Sequence, residues 1–272
     1  MATNRIGFRQ FRNKLEKGQQ VNVVIDSNIL IANYDETHSN HEIVREFLEE
    51  IDEIAEVTFF TTVTTKAEFL DYQRKRLLTE GLFDLVDEYS KDVQLSAESR
   101  AAITSAKGRR NKRQGDEEAK VSKDHEHEFD TRVSYLTDNE IKEIKKKFRA
   151  RDVEKETGWL KVCETFLKWK LLEQEKLINQ FCVYLSPHKP EQISLFHDTS
   201  VDWTKATAIS GESGMGFSDS LILNMLLHTK IDFILTLDFD MVYAATVSAD
   251  NKSVVLPDSK LGAYKYILKG LQ

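Results

Sequence analysis

Apolar and polar positions follow two rhythms along this chain, and the change of rhythm divides it. Val21-Asn22-Val23-Val24-Ile25-Asp26 is a short β-branched run ending abruptly in acid, the pattern of a buried parallel strand whose carboxyl end opens on a site. Before it, Phe8, Phe11 and Leu15 recur at helical spacing among Arg5, Arg9, Arg12, Lys14 and Lys17, which predicts an amphipathic helix over 5–17. After it the pattern predicts a helix over 41–56, a strand over 57–62 and a helix from Thr64 or Thr65 to Leu78. The same alternation returns late in the chain. There it predicts a helix near 202–211, a turn from Gly211 to Gly216, a helix from Ser218 to Thr229 and a strand from Phe233 to Leu237.

Between these stretches the rhythm is helical and polar. Residues 107–113, KGRRNKR, hold five cations in seven positions, and 114–130 are almost wholly polar, which reads as a loop or linker. Thr137-Asp138-Asn139-Glu140 has the form of a capping box, with Ile141, Ile144 and Phe148 on one face of the helix it opens. A longer helix is expected from Trp159 to Leu185, stopped by Ser186-Pro187. Its aromatic residues, Trp159, Phe166 and Phe181, read as core. The expected organisation is an α/β domain with a central parallel sheet built from 1–91 and 196–272, interrupted by a mostly helical insertion over 92–195 with a polar, basic linker near 105–130.

Composition sharpens this outline. At 272 residues, 40% hydrophobic and 31% charged, the chain has the material for an ordinary core, which excludes disorder as its dominant state. Only 3 prolines and 11 glycines favour long helices over a turn-rich β sandwich. No apolar run is long enough to span a membrane, and the first residues carry charges where a signal peptide needs an apolar stretch. Cys163 and Cys182 are too few for a disulfide framework or a zinc site, so a reducing cytoplasm is the expected location. A net charge of -7 argues at face value against a polyanionic partner. That number is an average over unlike regions, because basic stretches at 5–17 and 107–113 sit beside acidic ones.

Four acids recur at equivalent places: Asp26 at the end of the first strand, Glu68 at a helix start, Asp219 after a Gly-rich turn and Asp238 at the end of the last strand. In an open parallel sheet these places converge at the carboxyl edge. Carboxylates gathered there raise one another's pKa, and a divalent cation relieves them; ligation by oxygen alone suits Mg²⁺ or Mn²⁺. His125 and His127 form an HxH pair in a polar segment and read as solvated residues, not ligands. His228 reads as a helix-end residue.

VVIDSNILIA (23–32), TTVTTKAEFLDY (61–72), VDWTKATAISGESGMGFSDSLILNMLL (201–227) and FILTLDFDM (233–241) resemble, in order, the successive motifs of PIN-domain nucleases, including the toxins of toxin-antitoxin pairs. The resemblance implies a PIN-like three-layer fold and a metal-dependent endoribonuclease. Asp26, Glu68, Asp219 and Asp238 would be the acidic quartet binding Mg²⁺ or Mn²⁺, with Asn28 and Thr236 orienting an acid or water and Asp240 assisting. Arg109, Arg110, Lys112 and Arg113 are candidate RNA contacts. An inhibitory antitoxin-like protein and a homodimer are further partners the resemblance implies. A non-catalytic PIN scaffold that binds RNA or a protein is the alternative. The long interval between Glu68 and Asp219 departs from the compact toxins and points to a larger protein of that type.

Overall fold

The computed structural model describes residues 5–87, 94–124, 127–153, 158–197, 202–247 and 252–262. The chain divides into two compact units, one of residues 1–36, 40–69 and 178–272, the other of 37–39 and 70–177. The first unit holds a six-stranded, all-parallel sheet. Its strands are β1 (Arg5–Gly7), β2 (Gln20–Ile25), β3 (Glu56–Thr61), β4 (Val183–Tyr184), β5 (Phe233–Leu235) and β6 (Ser253–Leu256), in the order β1-β6-β5-β2-β3-β4. In chain order the helices are α1 (Phe8–Lys14), α2 (Ser27–Tyr34), α3 (His41–Ile54), α4 (Val63–Asp87), α5 (Ala97–Lys123), α6 (Asp138–Lys147), α7 (Gly158–Cys163), α8 (Trp169–Phe181), α9 (Trp203–Ser213), α10 (Phe217–Leu227) and α11 (Asp240–Val247).

Strand alternation explains why helices cover both faces of the sheet. Val24, Phe60, Ile234, Val254 and Leu256 turn to one side and share a core with Ile209, Ile222, Leu223, Leu226, Met241 and Val242 of α9, α10 and α11. On the opposite side Phe11 of α1 meets Phe233 of β5 edge-on at 5.0 Å, and Phe8 stacks on Phe47 of α3 at 3.9 Å. This is an α/β architecture compatible with three layers.

The sheet also corrects the reading of the N-terminal segment. Arg5–Gly7 is a strand paired with β6, and only Phe8–Lys14 is helical. Gly7 leaves room there for the carboxylate of Asp258, which accepts the Arg9 backbone N–H at 3.1 Å and would have to shift to admit a side chain.

The second unit has its own core, built by Leu78, Leu82 and Leu85 of α4, Ile103 and Ala106 of α5, Ile141 and Ile144 of α6 and Val162 of α7. Three expectations change here. The units divide at 69/70 and 177/178 rather than at 91/92 and 195/196: the first boundary falls within the 25-residue α4, whose later residues Leu78, Leu82 and Leu85 pack in the second unit's core. The expected linker over 105–130 is instead mostly α5, a 27-residue helix opened by the Ser96 hydroxyl, which accepts from the Ser99 N–H. Its Lys, Arg, Gln, Glu and Ala residues are good helix formers, enough to carry Gly108 and Gly115 at about 1 kcal/mol each. The expected helix over 159–185 is continuous from Gly158 to Phe181, with one π turn at Glu164–Lys168, and ends four residues early, so that Val183 and Tyr184 can pair with β3. Phe166 of the π segment lies against Gly81 of α4, where no side chain would fit.

The basic run accordingly has internal partners. Arg109 and Arg113 both bind Glu140, at 3.2 and 2.8 Å, Lys107 pairs with Asp87, and Arg110 lies over the Phe83 ring at 4.9 Å. The expected loop is thus corrected to a helix, on which Arg109, Arg110 and Arg113 have partners within the chain and Lys112 is exposed. Of the HxH pair, His125 lies outside the described residues, and His127 binds the buried Glu117 at 2.7 Å. Among the described residues no helix is long and apolar enough to cross a membrane.

Glu140 completes the expected capping box with Thr137 while holding the two guanidinium groups, which keep its carboxyl low, at about 2, against the effect of burial. Thr137→Ala should lower stability by about 1 kcal/mol, and Glu140→Ala by more, since Arg113 then loses its carboxylate. Urea unfolding followed by circular dichroism checks both; unchanged midpoints would contradict the assignment.

Candidate metal centre

The site lies where the sheet reverses its order of construction. From β2 the chain adds β3 and β4 to one side, whereas β5 and β6 lie on the other, so the carboxyl ends of the neighbours β2 and β5 bound a crevice. β2 is a fully apolar run at its end, with Val23, Val24 and Ile25 buried, and it delivers Asp26 into that crevice as the N-cap of α2. The Asp26 N–H still bonds Leu235 O of β5 at 3.0 Å, which keeps the two strand ends in register.

Asp26 is 1% exposed and enclosed by donors. Its Oδ1 accepts the Ser27 N–H at 2.6 Å, and its Oδ2 accepts from Asn28 Nδ2 at 2.8 Å and Thr236 Oγ1 at 2.7 Å. Asn28 Oδ1 in turn accepts the Leu237 N–H at 2.9 Å, and Thr236 Oγ1 accepts the Asp238 N–H at 2.9 Å. Asn28 and Thr236, expected as orienting residues, thus tie the end of β2 to the turn after β5.

Glu68 stands in the second turn of α4, whose start is set by Thr62 accepting the Thr65 N–H at 3.1 Å. Ser27 Oγ donates to Glu68 Oε2 at 2.8 Å, fixing this carboxylate beside Asp26. Asp219 lies in the first turn of α10, and its Oδ2 leans back so far that a side chain on Gly216 would come within 3.0 Å of it. Asp26, Glu68 and Asp219 each offer one carboxylate oxygen, and the three oxygens lie within 4.8 Å of one another.

Asp238 stands outside this three-oxygen group but close enough to repel both Asp26 and Asp219. It accepts the Asp240 N–H at 2.8 Å and so opens α11, while Asp240 is exposed at the first position of that helix. β5 ends at Leu235, two residues short of the expected limit, because Thr236 and Leu237 are drawn into the bonds with Asn28.

The electrostatics follow from burial. It pushes Asp26 up to about 6, against the bonds from Thr236 and Ser27 that favour its charged form, with Glu68 and Asp238 adding repulsion. Asp219 rises to about 7, first through burial and then through the charges of Asp26, Glu68, Asp238 and Asp240. Asp238 is raised by burial and by Asp240, while the Asp240 N–H and the Lys260 ammonium pull it down. An all-oxygen donor set of this kind matches a hard divalent cation such as Mg²⁺ or Mn²⁺.

Three participants escaped the sequence reading. Ser27 was signalled only by its place between Asp26 and Asn28, Gly216 only by its place in the turn before α10, and Lys260 by nothing in the local pattern. In comparisons with protein-family models, curated proteins and solved structures, nothing matches this chain. What stands is the class: an α/β protein with a parallel six-stranded sheet and a buried carboxylate cluster at its switch point.

Asp26 and Asp219 keep their protons to about pH 6 and 7 in the folded chain, against an ordinary value of 3.8. Between these limits the folded chain binds more protons than the unfolded one, so this contribution to stability is present at low pH and lost as pH rises through 6 to 7. In chelator, the Tm of the wild type should therefore fall from pH 5 to pH 8 relative to that of Asp219→Asn, and Mn²⁺ should restore it at pH 8 in the wild type alone. Parallel profiles for the two proteins, with and without Mn²⁺, would contradict the cluster's electrostatics.

Proposed function

We propose that this protein is a metal-dependent endoribonuclease of the PIN type. The observation that supports the reading is the meeting of the Asp26, Glu68 and Asp219 oxygens within 4.8 Å at the carboxyl edge of a parallel sheet. The preference for RNA and for Mg²⁺ or Mn²⁺ rests on the resemblance of the four motifs together with the all-oxygen donor set.

A bound divalent cation would neutralise the cluster and supply Lewis acidity toward a phosphate oxygen and a water. The chain's own part is positional. Asp26 cannot turn, because both its oxygens are held by donors from Ser27, Asn28 and Thr236, and burial keeps water from competing for them. Ser27 couples Glu68 to Asp26 so that the two carboxylates present a fixed edge. Asp219 approaches from a different helix and closes the third side. Asp238, with Lys260 acting on it, extends the acidic edge beyond the three oxygens. In the hydrolysis, a water oxygen forms the new bond to phosphorus, the bond from phosphorus to a ribose oxygen breaks, and that oxygen takes up a proton.

Degradation of a mixed RNA pool in Mn²⁺ tests this. The wild type should cleave, Asp26→Asn and Asp219→Asn should lose about 100-fold or more, and Thr236→Val, which removes a supporting bond, roughly 10-fold. A wild type without activity, or variants as active as the wild type, would sink the nuclease reading.

A further inference from the structure

β3 turns Phe60 into the core shared with α9, α10 and α11, and Val57 and Phe59 to the opposite face of the sheet. There the helical cover has a gap. α3 lies on one side of it and Phe181, the last residue of α8, on the other, and between them is a cavity of about 600 Å³, the size of a small-molecule site. Its lining belongs wholly to the first unit and shares no residue with the acidic cluster. α2 starts from the Asp26 cap and reaches the cavity only with its last residues, Asn33 and Tyr34.

The floor is aromatic. Phe59 and Phe181 stack at 4.9 Å with 25° between planes, and Tyr34 meets Phe181 edge-on at 6.2 Å. Tyr34, Val57 and Phe181 are each half-buried, so this floor remains open to a ligand. One wall is a stripe of α3, because His41, Arg45, Glu49 and Asp52 recur at helical spacing and rise about 16 Å along it. His41 Nδ1–H donates to Ala32 O at 2.8 Å, which leaves Nε2 as the acceptor of the neutral ring. Arg45 is paired with Glu49 at 2.9 Å, and the charge of Glu36, another lining residue, acts on it too. The lining thus sets three carboxylates against one guanidinium. Asp52 has no ion pair among the described residues, and it stands in the last turn of α3, where the helix dipole is negative and no basic residue offsets it.

An excess of carboxylate beside an aromatic floor calls for a cation with an apolar body. A methylene chain can lie on the rings, an ammonium over a ring gains a cation–π contact, and further ammonium groups can reach the acids along the wall. A peptide helix is too thick, since a cylinder about 10 Å across and as long as the wall needs roughly twice the volume of the cavity. We infer that this groove binds an aliphatic polyamine, its methylene chain on Tyr34 and Phe181 and its ammonium groups on Glu36, Glu49 and Asp52. The inference is independent of the nuclease reading.

Titration calorimetry of the full chain with spermidine in metal-free buffer tests it, at about 0.15 M salt, where exposed charges are screened beyond about 8 Å. A single spermidine should bind per chain. Asp52→Asn should weaken Kd about 10-fold or more, as loss of a charge-assisted bond does, whereas Glu53→Gln, at an exposed acid outside the groove, should change it less than about twofold. Both positions are exposed, so neither substitution lowers Tm. Hexaamminecobalt(III) carries the same charge with no methylene chain to lay on the rings, and it should bind about 10-fold more weakly or worse. No binding of spermidine, an equal Kd with Asp52→Asn, or hexaamminecobalt(III) bound as tightly as spermidine overturns the inference. Binding that is lost in Asp219→Asn and kept in Asp52→Asn overturns it as well, by placing the amine at the acidic cluster. A lysine-rich peptide that binds in an Asp52-dependent way where spermidine does not would make the groove a peptide site and also overturn it.

Discussion

Three carboxylates confined within a few ångströms, one of them fully buried, repel one another whenever they are ionised, and the first unit is organised around that conflict. Each acid reaches the crevice on a different element: Asp26 from the end of β2, Glu68 from α4 and Asp219 from the start of α10. The apolar interior of the sheet and its helices holds those elements in place and thereby supplies the energy that keeps the charges together. Protons relieve the conflict below about pH 6 to 7; above it, the divalent cation we propose would do so.

Neutral donors make the arrangement rigid. Asp26 is gripped by Ser27, Asn28 and Thr236, and Asn28 is itself held by the Leu237 N–H, so the acid and the strand end after β5 form one hydrogen-bonded body. The second unit solves a different problem. Its long, highly charged helix α5 is anchored by Ile103 and Ala106 in an apolar core and by Arg109 and Arg113 on the buried carboxylate of Glu140. Cations that look solvated in the sequence thus hold one helix to another.

What could be read in the sequence was what depends on local pattern. The apolar runs of β2, β3 and β5 announce buried strands, the Thr137 capping box is realised as spaced, and Asp26, Glu68 and Asp219 are brought together as their places at strand and helix ends imply. What could not be read depends on partners distant in the chain. β1 and β4 are strands of three and two residues that exist because β6 and β3 offer them an edge. α5 reads as a linker because its stabilising contacts, Asp87, Glu140 and Phe83, lie outside its own sequence. The charge of Lys260 acts on Asp238 only through the fold.

The central claim is that the convergent carboxylates hold a divalent cation, and anomalous diffraction from crystals grown with Mn²⁺ at pH 8 tests it most directly. A manganese peak bonded to carboxylate oxygens of Asp26, Glu68 and Asp219, and lost in crystals of Asp219→Asn, is the result this account predicts. Wild-type crystals with no peak at the end of β2, or with the three carboxylates turned apart and water between them, would contradict it.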